Sequence, residues 1–205
     1  MTTKFYYTPG ACSLSPHIAL READLPFELV QVDLADKKLK KDGSSFFAVS
    51  AKGYVPALVL DNGELLTEGA IIVQYIADQK PERKLAPKLG TPERRKLQEW
   101  LHFIATELHK GFGPVNNPKV NDEGKQFFKT RLLSRFEFLA KSLEGKQYLL
   151  GDEFSVADGY AYYTLRNLRK LDASLVDDSK LLNPYFERVA ARPAVRAALQ
   201  AEGIS

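Results

Sequence analysis

The sequence has little cysteine, tryptophan and histidine: one, one and three residues among 205. A single cysteine excludes a disulfide within the chain. It also disfavours the dithiol chemistry of thioredoxin-type redox motifs, which needs a second, resolving thiol. A chain without disulfides suits a reducing compartment, so we expect a cytoplasmic location.

Long apolar runs and an excess of one charge are also lacking. No apolar stretch approaches the roughly 18 residues of a membrane span, and the segment Met1–Phe5 does not begin a secretory signal. The net charge of +3 is spread without a basic run, so we expect neither a membrane nor a nucleic-acid partner. A hydrophobic content of 44% is typical of a globular core.

The first 80 residues alternate between strand and helix signals. Lys4–Tyr7 and Phe27–Asp33 are predicted strands, with a helix between them that begins at Ser15-Pro16. This order predicts a parallel βαβ unit with a right-handed crossover. Asp61-Asn62-Gly63 predicts a hairpin between two further strands, and Glu68-Gly69-Ala70 opens another helix. Together these elements predict a mixed sheet with packed helices, and the charged stretch 36–42 is interpreted as a loop.

Three prolines, Pro81, Pro87 and Pro92, indicate a linker, and only helical patterns come after it. One helix is predicted from Thr91-Pro92 to Lys110 and a second long one ends at Gly145. The expected domains are an α/β domain over 1–80, a linker over 81–91 and an all-α bundle over 92–205.

Ser155 and Asp158 have the spacing of a capping box at the start of a later helix, with aspartate in place of the usual glutamate. The helix is rich in tyrosine and leucine, which indicates that it is buried. We therefore interpret both residues as structural, with a cap worth about 0.5–2 kcal/mol.

Cys12 lies in the predicted turn between the first strand and the first helix. With Ser15 as the N-cap and Pro16 as the first helical residue, the helix dipole would favour the thiolate at this place. The alternative is a small buried hydrophobic residue without a chemical role. A thiol that works with an external small thiol also remains open.

Four motifs taken together resemble a glutathione transferase: Cys12, Val55-Pro56, Glu68-Gly69 and Ser155-x-x-Asp158. The resemblance is greatest to the bacterial beta class, whose motif near the start reads Tyr-Thr-Pro-Gly-Ala-Cys-Ser-Leu-Ser-Pro-His. It covers the whole chain. It implies a thioredoxin-like N-terminal domain followed by an all-α helical bundle.

The implied activity is conjugation of reduced glutathione to small hydrophobic electrophiles. The resemblance implies glutathione as co-substrate, no permanently bound cofactor and a homodimer. Neither the resemblance nor the sequence predicts a metal site.

In the first domain the resemblance assigns one role to each part of glutathione. Cys12 faces the sulfur, Lys37 reaches the glycyl carboxylate, and the backbone of Val55, before a cis Pro56, pairs with the cysteinyl part. Glu68 and Gly69 hold the γ-glutamyl end at a helix start, where backbone N–H groups receive a carboxylate. Gly69 lacks the hydroxyl that the wider superfamily usually has there.

In the helical domain, Glu107-Leu108-His109-Lys110 matches the beta-class stretch that points a histidine at the active site. The resemblance assigns His102, Thr106, Glu107 and His109 to glutathione binding. His102 and His109 are seven residues apart, which predicts one helix face. His102 and Asn167 replace the asparagine and tryptophan that relatives often carry.

The predicted catalytic residues are Cys12 first, then His109 and Ser13, and last Tyr7. The hydroxyl of Ser13 or that of Tyr7 could stabilise a glutathione thiolate by donating a hydrogen bond. For Tyr7, the alternative interpretation as a core aromatic on its strand has at least equal weight. Two other functions stay open: a glutathione-dependent thiol–disulfide reductase that forms a Cys12–glutathione mixed disulfide, and a non-catalytic carrier or interaction domain on the same fold.

Overall fold

A computed structural model describes residues 2–204. Met1 and Ser205 lie outside the described residues, and Met1 is part of the segment for which no secretory signal was predicted. The strands form one sheet in the order β3-β2-β1-β4-β5. Their bounds are β1 Lys4–Tyr7, β2 Glu28–Asp33, β3 Lys38–Leu39, β4 Ala57–Val59 and β5 Leu65–Thr67.

The pairing confirms the predicted topology of the sheet. Strands β1 and β2 are parallel, with Tyr6 opposite Val30, so the βαβ unit is present. Strand β4 is antiparallel to both β1 and β5, as the hairpin at Asn62-Gly63 requires. The loop assignment for 36–42 is wrong in one detail, because Lys38–Leu39 pairs with the end of β2.

The predicted helices are present in the predicted order, and two short helices, Phe112–Asn116 and Ser174–Asp177, were not predicted. Their bounds are α1 Leu14–Glu22, α2 Gly69–Gln79, α3 Pro92–Phe103, α4 Phe112–Asn116, α5 Asp122–Ser142, α6 Val156–Leu171, α7 Ser174–Asp177, α8 Leu182–Ala190 and α9 Pro193–Glu202. The Thr91 hydroxyl accepts from Arg94 N, which confirms the predicted cap of α3. No helix in residues 2–204 has the length and apolarity that a membrane crossing needs.

The predicted start of α1 is wrong. Ser13, not Ser15, is the N-cap, and Leu14 begins the helix because the Ser13 carbonyl accepts the first helical bond, from His17 N at 3.1 Å. Pro16 is then the third helical residue. Proline is tolerated there because the N–H groups of a first turn have no partner within the helix.

Two compact units share the chain: residues up to Ala86 together with those from Ala190 onward, and Pro87–Val189. Helix α9 packs on α1, which places the end of the chain in the first unit although it falls in the predicted span 92–205. The two units are defined by contacts between residues and do not test the domain boundaries. The boundaries 1–80, 81–91 and 92–205 therefore stay a prediction.

Each unit has its own apolar core. In the first, one face of the sheet packs around a buried cluster of Tyr6, Val30, Val32, Phe46, Val55 and Ala57. In the second, apolar residues recur at helical spacing and are buried, except for the half-buried Phe128; the buried ones are Leu97, Leu101, Ile104, Leu108, Leu132, Phe136, Leu139 and Leu143.

Asp158 lies at the centre of a buried hydrogen-bond network in the second unit. Its carboxylate accepts from Leu149 N at 2.9 Å, from Ser155 N and Oγ at 2.8 Å each, and from Tyr185 Oη at 2.8 Å. The capping box with Ser155 is therefore formed. Burial raises the pKa of Tyr185 well above 10, so its hydroxyl keeps its proton and donates.

Replacing Asp158 should cost more than a cap is worth. Asp158→Ala leaves the donors of Leu149, Ser155 and Tyr185 buried without their acceptor, at about 1–3 kcal/mol for each orphaned group. We expect a loss of roughly 3–5 kcal/mol in the free energy of unfolding, measured with urea. The exposed neighbour Asp152 provides the control: Asp152→Ala should change stability by less than about 0.5 kcal/mol. Equal stability of the two variants would contradict a structural role for Asp158.

Candidate functional site

Cys12 lies in the turn that joins β1 to α1. Hydrogen bonds from Ala11 N to Thr8 O and from Leu14 N to Ala11 O wind this turn into the helix. The Cys12 thiol is half-buried, and its Sγ donates to the carbonyl of Val55 at 3.3 Å. The turn and the Val55-Pro56 segment are therefore brought together around one sulfur atom.

This contact changes the expected state of the thiol. A thiol that donates a hydrogen bond is stabilised in its protonated form. Cys12 precedes the first helical residue by two positions and is therefore closer to the helix start than the sequence predicted, so the helix dipole acts in the opposite direction and favours the thiolate. The bond to Val55 O thus favours the protonated thiol as long as Cys12 Sγ donates to this carbonyl.

The two predicted hydroxyl donors already have structural surroundings. Ser13 Oγ donates to Thr8 O and accepts from Thr8 N, both at 3.2 Å, so this side chain holds the turn. Tyr7 is 7% exposed, and its ring contacts that of His17 on α1. Burial raises the pKa of the Tyr7 hydroxyl, and the charge of Glu202 adds to the shift, so Tyr7 keeps its proton.

The Val55–Pro56 peptide bond is cis, as the resemblance implied, and both residues are buried. Gly69 begins α2 next to them. A Cβ added at Gly69 would lie 3.8 Å from Pro56 Cγ, an ordinary contact. A small side chain would therefore fit at Gly69, and steric exclusion does not explain the glycine.

Glu68 is the N-cap of α2 and has a positive φ of 69°. Its carboxylate is exposed and accepts from Lys52 Nζ at 2.8 Å, while the same ammonium donates to Thr67 Oγ1 at 3.1 Å. A cation therefore already lies at the acid that the resemblance assigns to the ligand's ammonium. Sequence reasoning missed Lys52, because no local spacing links it to a residue 16 positions later.

Lys37 also has local partners. Its ammonium donates to Gly53 O at 3.0 Å and lies 5.2 Å from the ring centroid of Tyr54. The Tyr54 ring is 69% exposed, although it directly precedes Val55. Lys37 and Tyr54 thus form a cation–aromatic pair at the edge of the Val55 segment, and Tyr54 is a second residue that the sequence did not single out.

In the second unit, a π-helical segment, Ile104–His109, comes directly after α3. The prediction of a shared face for His102 and His109 is wrong for this reason: a π turn holds an extra residue, which rotates the later residues by about 100° around the helix axis. His102 is exposed, whereas His109 packs edge-on against Tyr163 and its Nδ1 lies 2.9 Å from Tyr160 Oη.

Burial lowers the pKa of His109 from 6.5 to about 4, and Lys110 adds to this shift. The imidazole is therefore uncharged at neutral pH. A predicted catalytic role for His109 at neutral pH therefore cannot rest on a positive charge of its ring. As a neutral ring, His109 retains one donor and one acceptor nitrogen for hydrogen bonding.

The neighbouring Thr106 and Glu107 have partners of their own. Thr106 Oγ1 donates to His102 O at 2.9 Å. Glu107 accepts from Arg135 Nε at 2.9 Å and from Arg131 Nη2 at 3.3 Å, and these bonds lower its pKa. Both residues line a pocket of about 160 Å³, which also includes Lys110, Phe128 and Leu132. His109 does not line this pocket.

A buried polar network lies behind the Cys12 turn, and no local pattern in the sequence indicates it. Glu202, on α9, accepts from Gly10 N at 2.9 Å and bonds to His17 Nδ1 at 2.8 Å. The side chains of Glu202 and His17 are both fully buried. Arg21 Nε in turn donates to His17 Nε2 at 2.9 Å. Among residues 2–204 no group of three or more potential metal ligands occurs.

Two family models match the chain. The glutathione S-transferase N-terminal domain matches residues 10–79, and the glutathione S-transferase C-terminal domain matches residues 106–202. Among curated proteins, glutathione S-transferase GstA of Escherichia coli O157:H7 is 42% identical over 98% of this chain and 99% of its own.

The chain is also similar to solved structures of bacterial glutathione transferases. BphK, a bacterial glutathione transferase in a ternary complex, is 51% identical with a TM-score of 0.90, over 98% of this chain and 99% of its own. The beta-class enzyme of Sphingomonas chungbukensis is 44% identical, and a sphingomonad enzyme complexed with glutathione is 43% identical. Each has a TM-score of 0.90 and covers 98% of this chain and 100% of its own.

The lowered pKa of His109 predicts a pH-dependent stability. An unfolded histidine binds a proton below about 6.5, whereas folded His109 does so only below about 4. Its contribution to stability is therefore present above pH 6.5 and is lost as the pH falls from 6.5 to 4. In urea titrations at about pH 7 and pH 4.5, His109→Asn should lose less stability on acidification than the natural protein, by up to about 2–3 kcal/mol. His102→Asn, at an exposed position, should behave like the natural protein.

Proposed function

The chain belongs to the glutathione S-transferase family, and its resemblance to the bacterial beta class is confirmed; we propose that Cys12, Val55 and Glu68 form its glutathione site. The observation that carries this proposal is the contact of the Cys12 thiol with Val55 O, beside the cis Pro56. It brings together the predicted partners of the sulfur and of the cysteinyl backbone of glutathione.

In this proposal, glutathione binding exchanges partners within the site. The ligand's α-ammonium takes the place of Lys52 Nζ at Glu68, so one charged hydrogen bond replaces another. The cysteinyl N–H of glutathione bonds to Val55 O and competes there with the Cys12 thiol. Lys37, next to Gly53 and Tyr54, supplies a cation for the glycyl carboxylate. Gly69 and the start of α2 offer backbone N–H groups to the γ-glutamyl carboxylate.

The reaction is attack of the glutathione sulfur on an electrophilic carbon. The thiol loses its proton, a sulfur–carbon bond forms, and a leaving group departs or a proton adds to the neighbouring carbon. Only the thiolate attacks, so the main task of the protein is to lower the thiol pKa of bound glutathione from about 8.5. We propose small hydrophobic electrophiles as second substrates, and Asn167 as a position where their selection differs from that of relatives.

Thiol–disulfide exchange is a second candidate activity, favoured by a half-buried Cys12 in a chain with no other cysteine. Attack of the Cys12 thiolate on a glutathione mixed disulfide would give a Cys12–glutathione disulfide and release the other thiol. With no resolving cysteine in the chain, a second glutathione must then reduce the adduct.

We also propose that the protein is a cytoplasmic homodimer. Each unit exposes large apolar side chains, among them Phe47, Ile71 and Leu65 in the first and Phe127 and Phe138 in the second. Closed two-fold dimers are the commonest oligomers. Light scattering at micromolar concentration should give twice the chain mass of 23.0 kDa. A value of one chain mass would contradict the dimer. The cytoplasm supplies the reducing conditions that a lone thiol needs.

Glu68 provides the test of the glutathione site. Glu68→Ala should weaken glutathione by about 1–3 kcal/mol, or roughly 5- to 150-fold, the scale of a lost charged hydrogen bond. Isothermal calorimetry measures this directly. Glu64, an exposed acid of the same hairpin, gives the matched control, and Glu64→Ala should bind glutathione as the natural protein does. Equal affinity of the two variants would remove Glu68 from the site.

Cys12→Ala separates the two activities. Disulfide reduction should be abolished, because the covalent adduct can no longer form. Conjugation should fall less, since its nucleophile is the sulfur of glutathione itself. The measurements are turnover of an aryl halide and of a glutathione mixed disulfide, with mass spectrometry of the natural protein after exposure to oxidised glutathione. An unmodified Cys12 together with full reductase activity of the variant would show that this cysteine only fills space in the packing.

A further inference from the structure

We propose that Glu202, on the last helix, is a positioning residue that holds the turn carrying Cys12 in its working conformation. The proposal rests on the proposed function only in treating Cys12 as part of the glutathione site. Glu202 is far from Cys12 in the sequence, yet its carboxylate bonds to the backbone of Gly10, 192 positions earlier and within the same turn.

The hydrogen-bond pattern requires a carboxylate at this position. Arg21 Nε can only donate, so His17 Nε2 must accept, and the imidazole carries its hydrogen on Nδ1. His17 Nδ1 then donates to Glu202 Oε1, while Gly10 N donates to Glu202 Oε2. Two donors thus converge on one buried side chain. An ionised carboxylate offers two acceptor oxygens, whereas an amide offers one.

The second contact of the chain end with α1 does not reach the turn. Arg192 makes paired bonds to Glu22, of 2.5 Å from Nε and 2.8 Å from Nη2, at the last residue of α1. At about 1.5 Å per residue, Glu22 lies about 12 Å along the helix from Leu14. Both contacts dock the chain end on the first unit, and of the two only the one through Glu202 touches the backbone that leads to Cys12.

The bond at Gly10 N bears on the site because it anchors the turn on the side of α9, at a residue with a φ of +69°. The other bonds of the turn are local or face the sheet: Thr8 pairs with Ser13 and donates through Oγ1 to Val32 O, and Ala11 and Leu14 close the turn into the helix. Without the bond at Gly10 N, the segment between Thr8 and Cys12 loses its anchor on the side of α9. The Cys12 sulfur then depends more on its own bond to Val55 O, for which glutathione competes, and the ligand must order the turn when it binds.

Amide hydrogen exchange of Gly10, followed by NMR on the full chain, tests the clamp. In the natural protein this amide should exchange at least about tenfold more slowly than an unprotected one, because its bond to Glu202 must open first. In Glu202→Gln one of the two donors loses its acceptor, and in Glu202→Leu both do, so in Glu202→Leu the protection should be lost, while the amides of β1 keep theirs. Arg192→Gln, which weakens the other contact, should leave Gly10 protected.

Two functional readouts accompany exchange. Glu202→Leu should raise the KM for glutathione several-fold with a smaller effect on kcat, and should change the rate of Cys12 alkylation by iodoacetamide. Arg192→Gln should change neither. If Glu202→Leu does not fold, Glu202→Asp, which withdraws the carboxylate by one methylene, carries the same expectation.

Three results would overturn the proposal. They are an unprotected Gly10 amide in the natural protein, equal Gly10 exchange in the Glu202 and Arg192 variants, and lost protection with unchanged KM and alkylation. The exchange and alkylation experiments use neither glutathione nor a transferase assay. A failure of the proposed transferase activity would therefore leave their result interpretable.

Discussion

The hydrogen bond from the Cys12 thiol to Val55 O is the interaction on which the site depends. It joins a turn at the end of β1 to the segment that enters β4, so the one cysteine lies against a backbone group that can pair with a peptide-like ligand. It also stabilises the protonated thiol. A ligand that takes over Val55 O would therefore remove this stabilisation of the protonated thiol as it binds.

Local pairs surround this contact and occupy the groups assigned to glutathione. Lys52 neutralises Glu68, and Lys37 lies against Gly53 and Tyr54. An exposed ion pair such as that of Lys52 and Glu68 contributes little to stability, typically about 0–1 kcal/mol, and the contacts of Lys37 are with a carbonyl oxygen and an aromatic ring. They are readily exchanged for a ligand's own charges, which suits a site that binds and releases a small charged peptide. The buried bonds of Glu202 and His17, in contrast, belong to the permanent structure.

His109 illustrates how tertiary surroundings changed a chemical expectation. Its sequence position suggested a proton partner on the same face as His102. The π-helical segment Ile104–His109 turns it instead toward Tyr160 and Tyr163, and burial keeps it uncharged. A neutral imidazole stabilises a nearby anion only through a hydrogen bond. Its contribution to the chemistry is therefore expected to be smaller than that of a cation.

Short-range patterns were enough to predict the order of strands and helices, the hairpin, the capping box of Ser155 and Asp158, and the position of Cys12 in a strand-to-helix turn. These features arise from residues close together in the chain, where turn geometry, capping and periodicity act directly. The start of α1 at Leu14, the pairing of Lys52 with Glu68 and the bond from Gly10 to Glu202 emerge only in the folded molecule. Each depends on groups that folding brings together from distant or differently oriented segments. Hydrogen-bond partners and desolvation exist only after that packing, and no local pattern in the sequence encodes them.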